Sequence, residues 1–126
     1  MQTEPSPLQV EVTTKFKRNL RILAKRYRSI RADIQPVIEQ LQSGELPGEQ
    51  IPGVGYQIFK VRVKNRDIRK GKSAGYRLIY YVKTLEKIIL VTIYSKSDQA
   101  DISEAEIQSI VAEFEQQSKE KEAEEE

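Results

Sequence analysis

The chain reads as an α+β domain: a small antiparallel sheet with an N-terminal helical hairpin and a C-terminal helix. Three observations predict it. Apolar residues recur at spacings of four, three, four and three through Phe16, Leu20, Leu23, Tyr27 and Ile30, which is one face of a helix. From Phe59 to Lys64 apolar and basic residues alternate strictly, which is a half-buried strand. A sharp helix start at Ser103 then follows the last apolar strand.

The elements follow in order. Leu8, Val10 and Val12 alternate with Gln9 and Glu11, giving a short first strand. Thr13 or Thr14 caps the first helix, because a hydroxyl accepts from the free amides at a helix start. Around its apolar face this helix is basic: Lys15, Lys17, Arg18, Arg21, Lys25, Arg26 and Arg28, with no acid between them. Like charges that dense repel one another on a short helix. A second helix is expected from near Asp33 to Gln42, with Ile34, Val37, Ile38 and Leu41 on one face. That start puts Pro36 in the first turn, where its missing N–H costs nothing. Ser43-Gly44 stops the helix, and the Gly- and Pro-rich stretch 44–55 reads as loop.

The second strand runs from Gln57 to Lys64. Phe59, Val61 and Val63 point one way, and Lys60, Arg62 and Lys64 the other. A basic loop, 65–74, leads to the third strand, Gly75 to Lys83. A tight turn then opens the fourth, Ile88 to Ser95, which is apolar on both faces as a covered central strand must be. Ser103 with Glu106 forms a capping box, Ile102 and Ile107 a hydrophobic staple, and Ile107, Ile110, Val111 and Phe114 the apolar face of the last helix. Beyond it the pattern is polar. The expected division is a flexible N-terminus at 1–7, a folded domain at 8–115 and a disordered acidic tail at 116–126.

The chain's 126 residues suit one domain. With no Cys and no His, disulfides, thiol nucleophiles, the usual zinc sites and histidine bases are excluded. No cofactor or metal is expected. Any chemistry must come from Lys, Arg, Tyr, Ser, Asp or Glu. No apolar run approaches the roughly 20 residues that span a bilayer, and the first residues lack the pattern of a signal peptide. A cytoplasmic protein without membrane contact is expected.

The net charge of +2 hides two opposed halves. Residues 1–97 carry 19 Lys/Arg against 8 Asp/Glu, and residues 98–126 carry 2 against 11. A basic body points to nucleic acid or another polyanion. The acidic tail solvates itself or folds back over the basic face.

Gly71-Lys72-Ser73 imitates the end of a phosphate-binding loop, but Arg66 stands where that motif requires its first Gly. Lys60, Arg62, Lys64 and Arg77 are the sharper signal. If the second and third strands pair antiparallel, these cations converge on one sheet face and make a phosphate site. The basic loop adds Arg66, Arg69, Lys70 and Lys72 as candidate RNA contacts. Tyr76, Tyr80, Tyr81 and Tyr94 flank the region, as core residues or as stacking platforms for unpaired bases. Asp98 and Asp101 are candidate general bases, or serve to orient Lys96 or cap the last helix.

The alternating strand with Lys60, Arg62 and Lys64, the run Ala74-Gly75-Tyr76-Arg77-Leu78-Ile79-Tyr80, and the apolar strand ending near Lys96 resemble the RelE/ParE superfamily of bacterial toxins. The element order agrees across residues 8–114, and Tyr94-Ser95-Lys96-Ser97-Asp98 resembles a RelE-like or HigB-like branch. The resemblance implies a type II toxin–antitoxin protein, a ribosome-dependent messenger RNA endoribonuclease that blocks translation and is held inactive by a cognate antitoxin. Its partners would then be that antitoxin, the ribosome and messenger RNA. By position, Lys60 and Arg62 match the basic catalytic residues of the family's second strand, Arg77 the arginine of its third, and Lys96 the basic segment after its fourth. Ser97 stands where an arginine is expected, and Ser103 where a tyrosine is expected; Tyr94 is the phenol that remains nearby. On this reading Lys60 or Lys96 handles protons, Arg62 and Arg77 hold the phosphate, and Lys64 and Tyr94 contact RNA. Two alternatives share the resemblance: a gyrase-inhibiting toxin of ParE type and an inactive RNA-binding relative.

Overall fold

A computed structural model describes residues 8–53, 55–68 and 74–125. The order is β1 (Gln9–Val12), α1 (Thr14–Arg26), α2 (Ile30–Gln42), β2 (Glu49–Ile51), β3 (Gln57–Val63), β4 (Tyr76–Thr84), β5 (Lys87–Ser95) and α3 (Glu104–Glu125). One five-stranded sheet has the order β1-β5-β4-β3-β2. The domain is α+β, as the sequence predicts. The sheet is mixed, however: β1 pairs with β5 in parallel, and the other pairs are antiparallel.

Two cores sandwich the sheet. On one face Phe16, Leu23, Ile34 and Leu41 of α1 and α2 pack on Val61, Leu78, Tyr80 and Leu90. On the other Ile107, Ile110 and Val111 of α3 pack on Ile58, Ile79, Tyr81 and Ile89. Each central strand is therefore apolar on both sides over the packed part of its length, which is why β5 reads as a continuous apolar run.

Several details depart from the sequence reading. The helical spacing through Ile30 crosses a break: α1 ends at Arg26, and the fully buried Ile30 opens α2. Pro36 thus lies inside α2, not in its first turn. It removes a bond to Ala32, and both residues are exposed, so water can serve the orphaned carbonyl. A short strand, β2, forms within the Gly/Pro stretch. The last helix also continues through 116–125, where a disordered end was expected. Gln, Lys, Glu and Ala are good helix formers, and Gln116 reaches Glu120 one turn on.

Polar side chains fix the helices to the sheet. Thr13 caps α1 by accepting from the Phe16 amide at 2.9 Å, and its hydroxyl donates to the Val91 carbonyl at 2.6 Å. Asn19 donates to Thr92 Oγ1 and to the Ile93 carbonyl. These carbonyls belong to an irregular stretch. Ile79 pairs with Thr92 but Tyr80 with Leu90, leaving Val91 as an extra residue. The bulge turns backbone acceptors toward α1, which supplies the donors. At α3, Ser103 Oγ accepts from the Glu106 amide at 3.1 Å. Farther along, Tyr81 donates to Glu115, and Lys83 pairs with Glu115 while lying over the Phe114 ring.

Gly75 permits the join of β3 and β4. A Cβ there would sit 2.0 Å from the Val63 carbonyl oxygen. Only glycine allows that approach, which accounts for the Gly in the Gly-Tyr-Arg run. Gly75→Ala is expected to lower stability by about 2–3 kcal/mol through forced backbone displacement. Urea unfolding of the variant beside wild type measures it; an unchanged midpoint would disprove the close approach.

Candidate nucleic-acid interface

Register builds the site. Arg62 of β3 lies opposite Arg77 of β4, and Arg77 lies opposite Tyr94 of β5. Residues in cross-strand register share a face, so the three side chains form a row across the sheet. Lys60, two residues before Arg62, is on the same side. This is the face on which α3 packs, Ile58 and Ile79 of the same two strands lying beneath that helix. Of the four cations expected to converge, Lys60, Arg62, Lys64 and Arg77, the strand pairing puts Arg62 opposite Arg77 with Lys60 on the same side, while Lys64 lies past the paired residues.

The members differ in environment. Arg62 is exposed, while Arg77 is only 5% exposed and donates from Nη1 to the Tyr76 carbonyl at 3.2 Å. Tyr94 is buried; burial first, then the charge of Asp101, push its phenol up to about 12, against a smaller opposing pull from Arg77. At neutral pH it is therefore a protonated donor.

Asp101 completes the group. Its Oδ1 accepts from the Ile102 amide at 2.8 Å, from Lys60 Nζ at 3.2 Å and from Tyr94 at 3.4 Å. The amide bond first and then Lys60 hold this carboxyl below its ordinary range. Asp101 is thus ionised in the middle of a cationic face. Lys60, expected among other cations, instead faces a carboxylate.

The other predicted residues are distributed differently. Lys96 donates from Nζ to the Ala100 carbonyl at 2.7 Å and from its backbone to Gly75 at 2.9 Å, so it closes the loop that carries Asp101. Asp98 is engaged by α1, where both its oxygens accept from Arg26 Nη1. Lys64 follows the end of β3 and is exposed. Arg66 is drawn to α2, where Nε meets Asp33 Oδ1 at 2.6 Å and its own amide donates to Asp33 Oδ2. This ion pair ties the β3–β4 loop to the α2 side of the sheet and takes Arg66 away from the row. Arg69, Lys70 and Lys72 lie outside the described residues. Tyr76, Tyr80 and Tyr81 are wholly buried; Tyr94, also buried, is the phenol that lies in register with Arg77 and reaches Asp101. An open groove of about 760 Å³ runs between α2 and the outer edge of β3, reached also by Lys60, Arg62 and Lys64.

The sequence signalled Asp33 without disclosing its partner. An acid one turn from Ile30 and one turn from Val37 lies on a buried helical face, and a buried carboxylate requires a cation. No three or more acidic side chains converge as a metal would require among the described residues.

The family described as RelE toxin of the RelE/RelB toxin–antitoxin system matches residues 13–125. This chain belongs to the RelE toxin family. That family is one of toxins of a toxin–antitoxin system, and it implies an antitoxin partner. No curated protein sequence matches the chain. A crystal structure of TrmO from Pseudomonas aeruginosa is similar at 17% identity and a TM-score of 0.42, over 73% of this chain and 35% of that one. The chain thus spans about a third of that structure's length, and the likeness carries no functional argument. Among the described residues no helix is long and apolar enough to cross a membrane.

The Asp101 contacts have a pH consequence. A carboxyl held below its usual range stabilises the folded chain at pH values above that range, and the contribution disappears as pH falls through the lowered value. Wild type is therefore expected to exceed Asp101→Asn in stability at neutral pH, with the gap closing below about pH 4. Asp101 is 66% exposed, so the gap should be small and salt-sensitive. Urea midpoints across pH test this, and a gap that widens in acid would contradict it.

Proposed function

We propose that this RelE-family toxin is a metal-independent endoribonuclease that cuts messenger RNA on the ribosome and so blocks translation. The observation that carries the reading is the Arg62–Arg77–Tyr94 row with Lys60 and Asp101 beside it. It supplies cations for a phosphate and groups able to give and take protons, without histidine.

The chemistry this arrangement suits is attack by a ribose 2′-hydroxyl on the adjacent phosphorus. A new P–O2′ bond forms, the P–O5′ bond breaks, and the products are a cyclic phosphate and a 5′-hydroxyl. Negative charge grows on the non-bridging oxygens in the transition state. Arg62 and Arg77 hold those oxygens, Arg77 being fixed by burial and Arg62 reaching in from the exposed end of β3. Lys60 adds a third charge. Asp101, ionised and beside Lys60, accepts the 2′-hydroxyl proton on this reading. Tyr94, protonated, donates to the departing 5′-oxygen. Lys96 acts through the loop it closes. The tyrosine that the family resemblance leads one to expect at Ser103 is replaced on this reading by Tyr94, which reaches the same face from β5. The antitoxin partner silences the site by covering the cationic row.

Inducible expression in bacteria tests the reading. Wild type should arrest growth and produce new messenger RNA ends within codons. Arg62→Ala, at an exposed position, should keep its fold and lose cleavage by about 100- to 1,000-fold, the usual cost of one transition-state donor. Arg77→Lys should lose a comparable amount because a point charge cannot replace a two-pronged donor. Arrest without new ends would transfer the activity to a binding toxin of ParE type. Full cleavage by Arg62→Ala would remove the row from the mechanism.

A further inference from the structure

The geometry points to a second RNA contact on this chain: the outer face of α1, which would carry the backbone of a single strand toward the sheet-end site. Lys15, Arg18, Arg21 and Lys25 are exposed. At 100° per residue they cover an arc of about 120° on the side away from buried Phe16 and Leu23. They span about 15 Å of helix axis. No acid lies on α1, and no ion pair forms at any of these four among the described residues. A face meant only for solvent gains nothing from four uncompensated like charges, since repulsion destabilises the helix. A polyanion removes that cost.

The position of α1 says where such a strand would lead. The helix begins against Leu90 and Val91, reaches Thr92 and Ile93 through Asn19, and ends with Arg26 gripping Asp98. It therefore runs alongside β5 toward the end bearing Tyr94, and its last turn is tied to the loop that presents Asp101. Ile22, 54% exposed in the midst of the cations, rims a groove of about 130 Å³ between α1 and the end of β5, lined also by Tyr94, Gln99 and Asp98, whose charge Arg26 meets. An exposed apolar side chain flanked by cations suits a nucleotide, whose base or sugar is apolar while its phosphates are charged. The four cations themselves offer donors only, which suits phosphate oxygens better than the mixed polar groups of a protein surface.

This inference rests on the Proposed function only for what lies at the end of the track. The test is fluorescence anisotropy with the whole chain and 2′-O-methyl oligoribonucleotides, which cannot be cut, of 4 and 12 nucleotides over a range of salt. The combined variant Lys15→Gln, Arg18→Gln, Arg21→Gln and Lys25→Gln leaves the Arg26–Asp98 pair intact. Wild type should bind the 12-mer more tightly than the 4-mer. The variant should lose that gain, and its slope of log affinity against log salt for the 12-mer should fall by about 3, from roughly 0.7 per lost contact. Its 4-mer binding should be unchanged, whereas Arg62→Ala should weaken both lengths. Equal wild-type affinity for both lengths, or an unchanged slope in the variant, would overturn the track. So would a variant that keeps RNA binding but loses the antitoxin or self-association, since α1 would then serve a protein. Length-dependent binding abolished by the α1 changes but indifferent to Arg62→Ala would keep the track and refute the phosphate role of the sheet row.

Discussion

The register of β3 against β4 is the constraint on which the rest depends. With Arg62 opposite Arg77, both guanidinium groups face the α3 side while Val61, Leu78 and Tyr80 face α1 and α2. A slip of one residue would turn either strand over, driving cations into the core and core residues into water. Two apolar cores thus secure a polar arrangement. Gly75 holds the strands at the close approach this register needs, and its neighbour Lys96 donates to the Gly75 carbonyl, so the end of β5 is fastened at the same place. The stabilising contacts and the chemical groups meet at one end of the sheet.

Electrostatics at that end is arranged by burial and by one carboxylate. Arg77 is immobilised in the sheet while Arg62 remains in solvent, so the pair combines a fixed donor with an adaptable one. Asp101 pairs with Lys60, and burial, with the Asp101 charge second, pushes the Tyr94 phenol up. A cationic site without such a counter-charge would repel itself; one with a fully buried ion pair would be costly to open. The exposure of Asp101 places this site between those extremes.

The two charged parts of the chain meet at a few ion pairs, Arg26–Asp98, Lys60–Asp101 and Lys83–Glu115. α3 starts beside Asp101 and runs to Glu115, which Tyr81 and Lys83 hold far along β4. The acidic residues that follow continue the helix away from the cationic row. The fold-back that composition allows takes the form of these single ion pairs, with 116–125 continuing α3 as helix.

Local patterns by themselves determined much of this protein. Alternation through Phe59–Lys64, the cap at Thr13 and the cap at Ser103 are decided by residues close in sequence, and each appears where the sequence puts it. The Gly-Tyr-Arg run likewise disclosed the family. What tertiary structure decided depends on partners distant in the chain. Arg66 and Lys60 look alike in sequence, yet Asp33 draws one to α2 and Asp101 holds the other on the opposite face. The parallel pairing of β1 with β5 and the three-residue β2 have no local signature, because a strand that short exists only where a neighbouring edge offers it hydrogen bonds. Charge and period can be read along a chain, but which carboxylate meets which cation is settled only when the sheet brings them within reach.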